Sequence, residues 1–195
     1  MWAVPVVAAA VAMPLAAAST QSQVNLWSTA RLPDSPPDGF ITESGNTLPY
    51  YQGPRTLAFT YTFGNLGPDP LPSGAVVSLA LPLDLIWNTA TLAITNSGGY
   101  PLAPAGTRTE TIATNPLALR RIWDFVLNLE LAAGASFAVN FTVDLNDSSD
   151  DATDFYRVLM MSDFQLQPGA DVTDTDSTNN PNANTEYVIF NPPGV

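Results

Sequence analysis

The sequence predicts an all-β protein, an immunoglobulin-like antiparallel β-sandwich of about 8–9 strands. Short runs in which apolar and polar residues alternate recur along the chain, which is the pattern of half-buried strands. Turn residues separate these runs at spacings near those of sandwich domains. The 18 prolines among 195 residues interrupt the chain too often for long helices to persist.

The first predicted elements are a leading strand at 23–28, with Val24 and Leu26 on one face, and a Pro-rich loop at 31–38. The clearest alternation follows at 57–63 (LAFTYTF) and 135–144 (ASFAVNFTVD). In both runs, every second residue is a large apolar or aromatic side chain suited to a buried face.

The remaining predicted strands are less regular. They lie at 75–81, 91–95, 107–113, 121–129, 155–161 and 185–190. The polar alternation of 107–113 is typical of an edge strand. Residues 115–121 (NPLALRR) are compatible with one helical turn.

The N-terminal residues predict a signal segment at 1–18. Trp2 to Ala18 is almost wholly apolar, and the small residues before Ser19 favour cleavage after Ala18. No basic residue precedes the apolar run, and an uncleaved anchor is the alternative. Residues 19–55 then form a leading strand and Pro-rich loop in one domain with the sandwich predicted at 56–195.

Composition excludes several kinds of chemistry. The chain has no cysteine or histidine, and its six basic residues are all arginine. Thiol chemistry, a Ser-His-Asp triad and His- or Cys-ligated zinc are therefore excluded. The net charge of −12 argues against nucleic acid as a partner.

Three stretches resemble one known family. These are TYTFGNLGPDPLPSGAVVSLAL at 60–81, LAAGASFAVNFTV at 131–143 and DTDSTNN at 174–180. They are similar to Ig-like repeats of bacterial surface proteins, known as "domain of unknown function eleven". The segment at 1–18 resembles the second half of an actinobacterial twin-arginine signal. The resemblance implies an extracellular β-sandwich used as a spacer or adhesive module, with no enzyme activity and no fixed ligand residues.

We therefore expect a non-catalytic, exported bacterial protein, extracellular or at the cell surface, with a structural or adhesion role. Its expected partners are envelope proteins or polysaccharide, with no integral membrane domain after signal removal. Two alternatives stay open: a carbohydrate- or calcium-dependent binding module, and a carboxylate-based glycoside hydrolase.

Each alternative has candidate residues. Calcium takes oxygen ligands, and the best candidate ligands are Asp171, Asp174 and Asp176, in a loop followed by two asparagines. Calcium is thus the one cofactor that the sequence leaves open. A hydrolase needs two carboxylates across a cleft, and the four glutamates are Glu43, Glu110, Glu130 and Glu186. Aromatic residues that lie near turns and suit stacking on sugars are Tyr50, Tyr51, Trp87 and Tyr100.

Overall fold

A computed structural model describes residues 21–43, 45–83, 92–111, 119–145, 156–180 and 182–190. The predicted signal segment at 1–18 lies outside these residues, as do Trp87 and most of the segment predicted to form a helical turn. Within the described ranges, every regular element is a strand. The all-β prediction is confirmed.

Thirteen strands lie in the described residues. They are β1 (Ser22–Val24), β2 (Leu26–Thr29), β3 (Gly39–Glu43), β4 (Asn46–Tyr51), β5 (Arg55–Asn65), β6 (Val76–Leu83), β7 (Leu92–Asn96), β8 (Leu102–Thr111), β9 (Leu119–Leu127), β10 (Ser136–Leu145), β11 (Tyr156–Gln165), β12 (Val172–Asp174) and β13 (Asn182–Phe190).

The strands form two large sheets and one small one. The first large sheet has the order β2-β5-β10-β7, with every pair antiparallel. The second has the order β3-β4-β13-β11-β6-β9-β8, antiparallel except between β4 and β13. Strands β1 and β12 pair in parallel as a two-stranded sheet.

This topology has the strand order of an immunoglobulin-like sandwich. Strands β2, β5, β10 and β7 match the A-B-E-D order of one sheet, and β6, β11 and β13 match C-F-G of the other. Two hairpins widen the second sheet: β8–β9 beyond the C position and β3–β4 beyond the G position. The predicted β-sandwich is therefore confirmed, with additions at both edges of one sheet.

The core lies between the two large sheets. The alternating residues of β5 (Leu57, Phe59, Tyr61, Phe63) and of β10 (Phe137, Val139, Phe141, Val143) are at most 4% exposed. The rings of Phe63 and Phe164 meet edge to face across the two sheets, 5.7 Å between centroids. The alternation of residues in the sequence thus correctly predicts which face of β5 and of β10 is buried.

The strand count exceeds the predicted 8–9 because four short strands carried a weak sequence signal. The leading strand at 23–28 divides into β1 and β2 around Asn25, and β3, β4 and β12 add three more. The predicted edge strand at 107–113 is β8, which begins earlier, at Leu102, and does lie at the edge of its sheet. Its bulge at Pro104 and Gly106 suits an edge position, where proline removes no interstrand hydrogen bond.

Candidate functional site

A cleft lies between the Pro-rich loop and the β3–β4 hairpin, and we call it the hairpin cleft. Its volume is about 540 Å³, within the range of small-molecule sites. It is lined by Leu32, Pro33, Asp34, Ser35, Pro36, Pro37, Phe40, Thr47, Pro49 and Tyr51. The walls are thus mainly apolar, with few polar groups.

One wall of the hairpin cleft is a single face of the β3–β4 hairpin. Phe40 pairs directly with Pro49, and Thr47 and Tyr51 lie two residues to either side of Pro49 on β4. Alternate residues of a strand point to the same face, so the four side chains form one surface. Tyr51 is buried, whereas Phe40 is 64% exposed, so this wall runs from the body of the protein out to solvent.

The other wall is the Pro-rich loop, which hydrogen bonds to the edge of β5. The backbone N–H of Asp34 donates to the carbonyl of Ala58 at 2.8 Å, and the backbone N–H of Ala58 donates to the Ser35 hydroxyl at 3.0 Å. The Thr60 hydroxyl donates to Oδ2 of Asp34 at 2.6 Å. These bonds fix the loop, and with it the carboxylate of Asp34, against the sandwich.

A second set of contacts fastens the far end of the loop. Arg55 Nη1 lies 2.9 Å from both carboxylate oxygens of Asp38, and Arg55 Nη2 donates to the carbonyl of Pro36 at 3.3 Å. Asp38 also accepts the backbone N–H of Gln52 at 2.8 Å. The loop is therefore held at both ends, and these contacts fix one wall of the hairpin cleft.

Two titratable groups line the hairpin cleft. Burial raises the pKa of the Tyr51 hydroxyl; Arg55 lowers it in part, and the charges of Asp38 and Asp34 raise it further. Tyr51 therefore stays protonated at neutral pH. Asp34 is exposed to solvent at the cleft. The arrangement supplies an apolar surface with a carboxylate that can accept hydrogen bonds or hold a cation.

Two of the residues predicted to ligate calcium, Asp174 and Asp176, accept hydrogen bonds from other groups of the protein in this structure. Asp174 accepts the backbone N–H groups of Leu26 and Asp176 and the side-chain amide of Asn180. Asp176 accepts the backbone N–H and the hydroxyl of Thr178. Among the described residues, no group of three or more acidic side chains is placed to hold a metal ion.

Asp171 stands apart from the other two. It is exposed and lines a smaller cleft of about 200 Å³ between the 71–75 turn and the end of β11. This volume is below the usual range of ligand sites. The calcium site stays a prediction.

A polar row crosses the outer face of the seven-stranded sheet. Asp163, Ser78 and Asp124 are direct neighbours on β11, β6 and β9. The Ser78 hydroxyl donates to Asp124 Oδ1 at 2.6 Å, and Arg108 Nε donates to Asp124 Oδ2 at 3.0 Å. Burial raises the pKa of Asp163, although hydrogen bonds from Phe164 and Gln165 oppose the rise. In the described part of the chain, Asp163 Oδ1 is buried without a hydrogen-bond partner.

The other candidate residues do not converge on one place. Glu130 is exposed at a turn, and the side chains of Glu43, Glu110 and Glu186 lie outside the described residues. Tyr100 stacks on Phe137, 4.8 Å between centroids, and packs at the edge of the core. Only Tyr51 of the predicted sugar-stacking residues lines the hairpin cleft.

Sequence reasoning missed the hairpin cleft because it interpreted 31–38 only as a loop. Two signals were present. The Ser44-Gly45 dipeptide is typical of a tight hairpin turn, and Phe40 lies two residues after the Pro-rich segment. Together they place an aromatic residue beside a stiff, proline-rich wall.

No helix long and apolar enough to cross a membrane occurs in the part of the chain that the structure describes.

The chain was compared with known families, curated proteins and solved structures. No family model matches the chain, and no curated protein matches it. Its fold is similar to a solved structure described as "AvmM Catalyzes Macrocyclization in Alchivemycin A Biosynthesis", with a TM-score of 0.44 and 9% identity. The match covers 80% of this chain and 96% of that one.

This comparison corrects the predicted function. That solved structure is described as a catalyst, whereas the sequence predicted a non-catalytic structural or adhesion module, and we withdraw that role. At 9% identity and a TM-score of 0.44, the likeness assigns neither an activity nor a reaction to this chain.

Proposed function

We propose that the protein binds a small, mainly apolar molecule in the hairpin cleft. The observation that carries this proposal is the combination of a volume of about 540 Å³, apolar walls and fixed polar groups. Few features of a sandwich surface combine these three properties, because loops at its ends are usually polar and mobile.

The contacts of the loop support the proposal. A site that is already formed loses less conformational freedom on binding than a site that must close around its ligand. Here the bonds of Asp34 and Ser35 to Ala58 and the clamp of Arg55 on Asp38 hold one wall in place. The other wall belongs to a paired hairpin.

The proposal is tested with N-phenyl-1-naphthylamine, a neutral apolar dye that fluoresces in apolar sites. We expect saturable binding to the full chain. Thr47→Trp should abolish this binding, because the indole would fill the cleft from an exposed strand position that tolerates aromatic residues. Phe40→Ala should weaken binding about tenfold, since it removes one large apolar wall.

The matched control is Leu66→Ala. Leu66 is 64% exposed, as is Phe40, but lies in the turn after β5 and does not line the cleft. This variant should bind the dye like the original chain. Unsaturable binding, or equal losses in the Phe40 and Leu66 variants, would show nonspecific adsorption and refute the proposal.

A further inference from the structure

The charges around the hairpin cleft are unbalanced. Asp34 and Asp38 both come from the Pro-rich loop, and Arg55 forms an ion pair with Asp38. Arg55 Nη1 is 2.9 Å from both oxygens of Asp38. Its positive charge is therefore already compensated by Asp38.

Asp34 differs from Asp38 in its hydrogen-bond partner. Its Oδ2 accepts the hydroxyl of Thr60, which is a neutral donor. In the described part of the chain, no arginine side chain forms an ion pair with Asp34. Burial raises the pKa of Tyr51 on the opposite wall, and the charges of Asp38 and Asp34 raise it further.

The rest of the molecule adds to this negative potential. The chain has 18 acidic and six basic residues, a net charge of −12. A field of this sign raises the local concentration of cations and repels anions. An apolar cleft with one carboxylate favours a ligand whose body is apolar and whose single polar group is positive.

We infer that the ligand of the hairpin cleft is a small hydrophobic amine, with an apolar or aromatic body against the proline and aromatic walls and an ammonium group at Asp34. This inference rests on the proposed binding function and names its ligand class. The ammonium donates hydrogen bonds to the carboxylate of Asp34. Tyr51 keeps its proton and is therefore not a second anion that binds the ammonium.

The test compares three probes of one shape: 1-naphthylmethylamine, which is cationic at neutral pH, the neutral 1-naphthalenemethanol and the anionic 1-naphthoate. Their affinities for the full chain are measured by displacement of N-phenyl-1-naphthylamine. We expect the amine to bind about three- to fivefold tighter than the alcohol at low salt, the size of an exposed ion pair. The anion should bind most weakly, and salt should reduce the differences.

Asp34→Asn should equalise the affinities of the amine and the alcohol, because it removes the negative charge while asparagine still accepts the Thr60 hydroxyl. Asp171→Asn removes the same charge from an exposed site outside the cleft and should keep the preference. Equal affinities in the original chain, or a preference that survives in the Asp34 variant, would overturn the inference while dye binding stands. Absence of dye binding would instead refute the proposed function.

Discussion

At the residue scale, the same residue type has different roles in different surroundings. Asp174 accepts three hydrogen bonds, one from the backbone N–H of Leu26 in β2 and two from within the 171–180 segment. Asp34 holds a loop and presents a charge to a cleft. The sequence shows that both are aspartates next to turn residues, but not which backbone N–H groups will reach them. Roles of single acidic residues therefore required the structure.

Asp163 gives a prediction on pH dependence. Its pKa is raised above 3.8, chiefly by burial, so the folded state favours the protonated carboxyl. Its favourable contribution is present below the unfolded pKa and is lost as the pH rises through the folded pKa. At pH 7 the ionised group therefore destabilises the fold.

Asp163→Asn should consequently raise the free energy of unfolding at pH 7, and the gain should shrink as the pH falls through the raised pKa of the folded state towards 3.8. Urea unfolding at several pH values measures this difference. The exposed Asp171→Asn serves as the control and should show a much smaller change. A loss of stability at pH 7, or a gain that does not depend on pH, would contradict the account.

At the scale of elements, the Asn-Leu-Gly-Pro-Asp turn at 65–69 fastens the N-terminal strands. Asn65 is fully buried; its Oδ1 accepts the backbone N–H groups of Gly67 and Asn25, and its Nδ2 donates to the carbonyl of Asp69. A Cβ at Gly67 would lie 2.5 Å from Cα of Val24, so only glycine fits there. The motif that suggested a family resemblance thus has a structural reason in this chain.

Asn65→Ala should cost about 2–4 kcal/mol of unfolding free energy, because buried N–H and C=O groups would lose their partner. Denaturant unfolding measures the loss. Asn128→Ala, at an exposed asparagine after β9, should change stability by less than about 0.5 kcal/mol. If both variants unfold alike, Asn65 does not hold the turn as described.

The strands that the sequence predicted best are those in which buried apolar residues alternate most regularly with polar ones. Strands β5 and β10 were found from sequence because each buries four consecutive alternate side chains. The β3–β4 hairpin was not found, since its alternate positions hold Thr47 and Pro49, which carry little apolar signal. Strand β12 spans only three residues and exists through its pairing with β1, a contact between distant parts of the chain that no local pattern reveals.

At the scale of the whole molecule, the sequence predicted the sandwich class correctly because burial on one face of each strand repeats along the chain. The site could not be predicted in the same way. The hairpin cleft depends on a long-range contact that places the Pro-rich loop against Ala58 of β5 and opposite its own hairpin. Export and the calcium site stay predictions from sequence.

The central claim is that the hairpin cleft is a preformed small-molecule site, and chemical-shift mapping tests it most directly. The isotope-labelled full chain is titrated with N-phenyl-1-naphthylamine while backbone amide signals are followed. The account predicts saturable shifts at Ser35, Phe40, Thr47 and Tyr51, with signals of the opposite sheet edge, such as β7, unchanged. Shifts confined to other surfaces, or none at dye concentrations that saturate fluorescence, would contradict it.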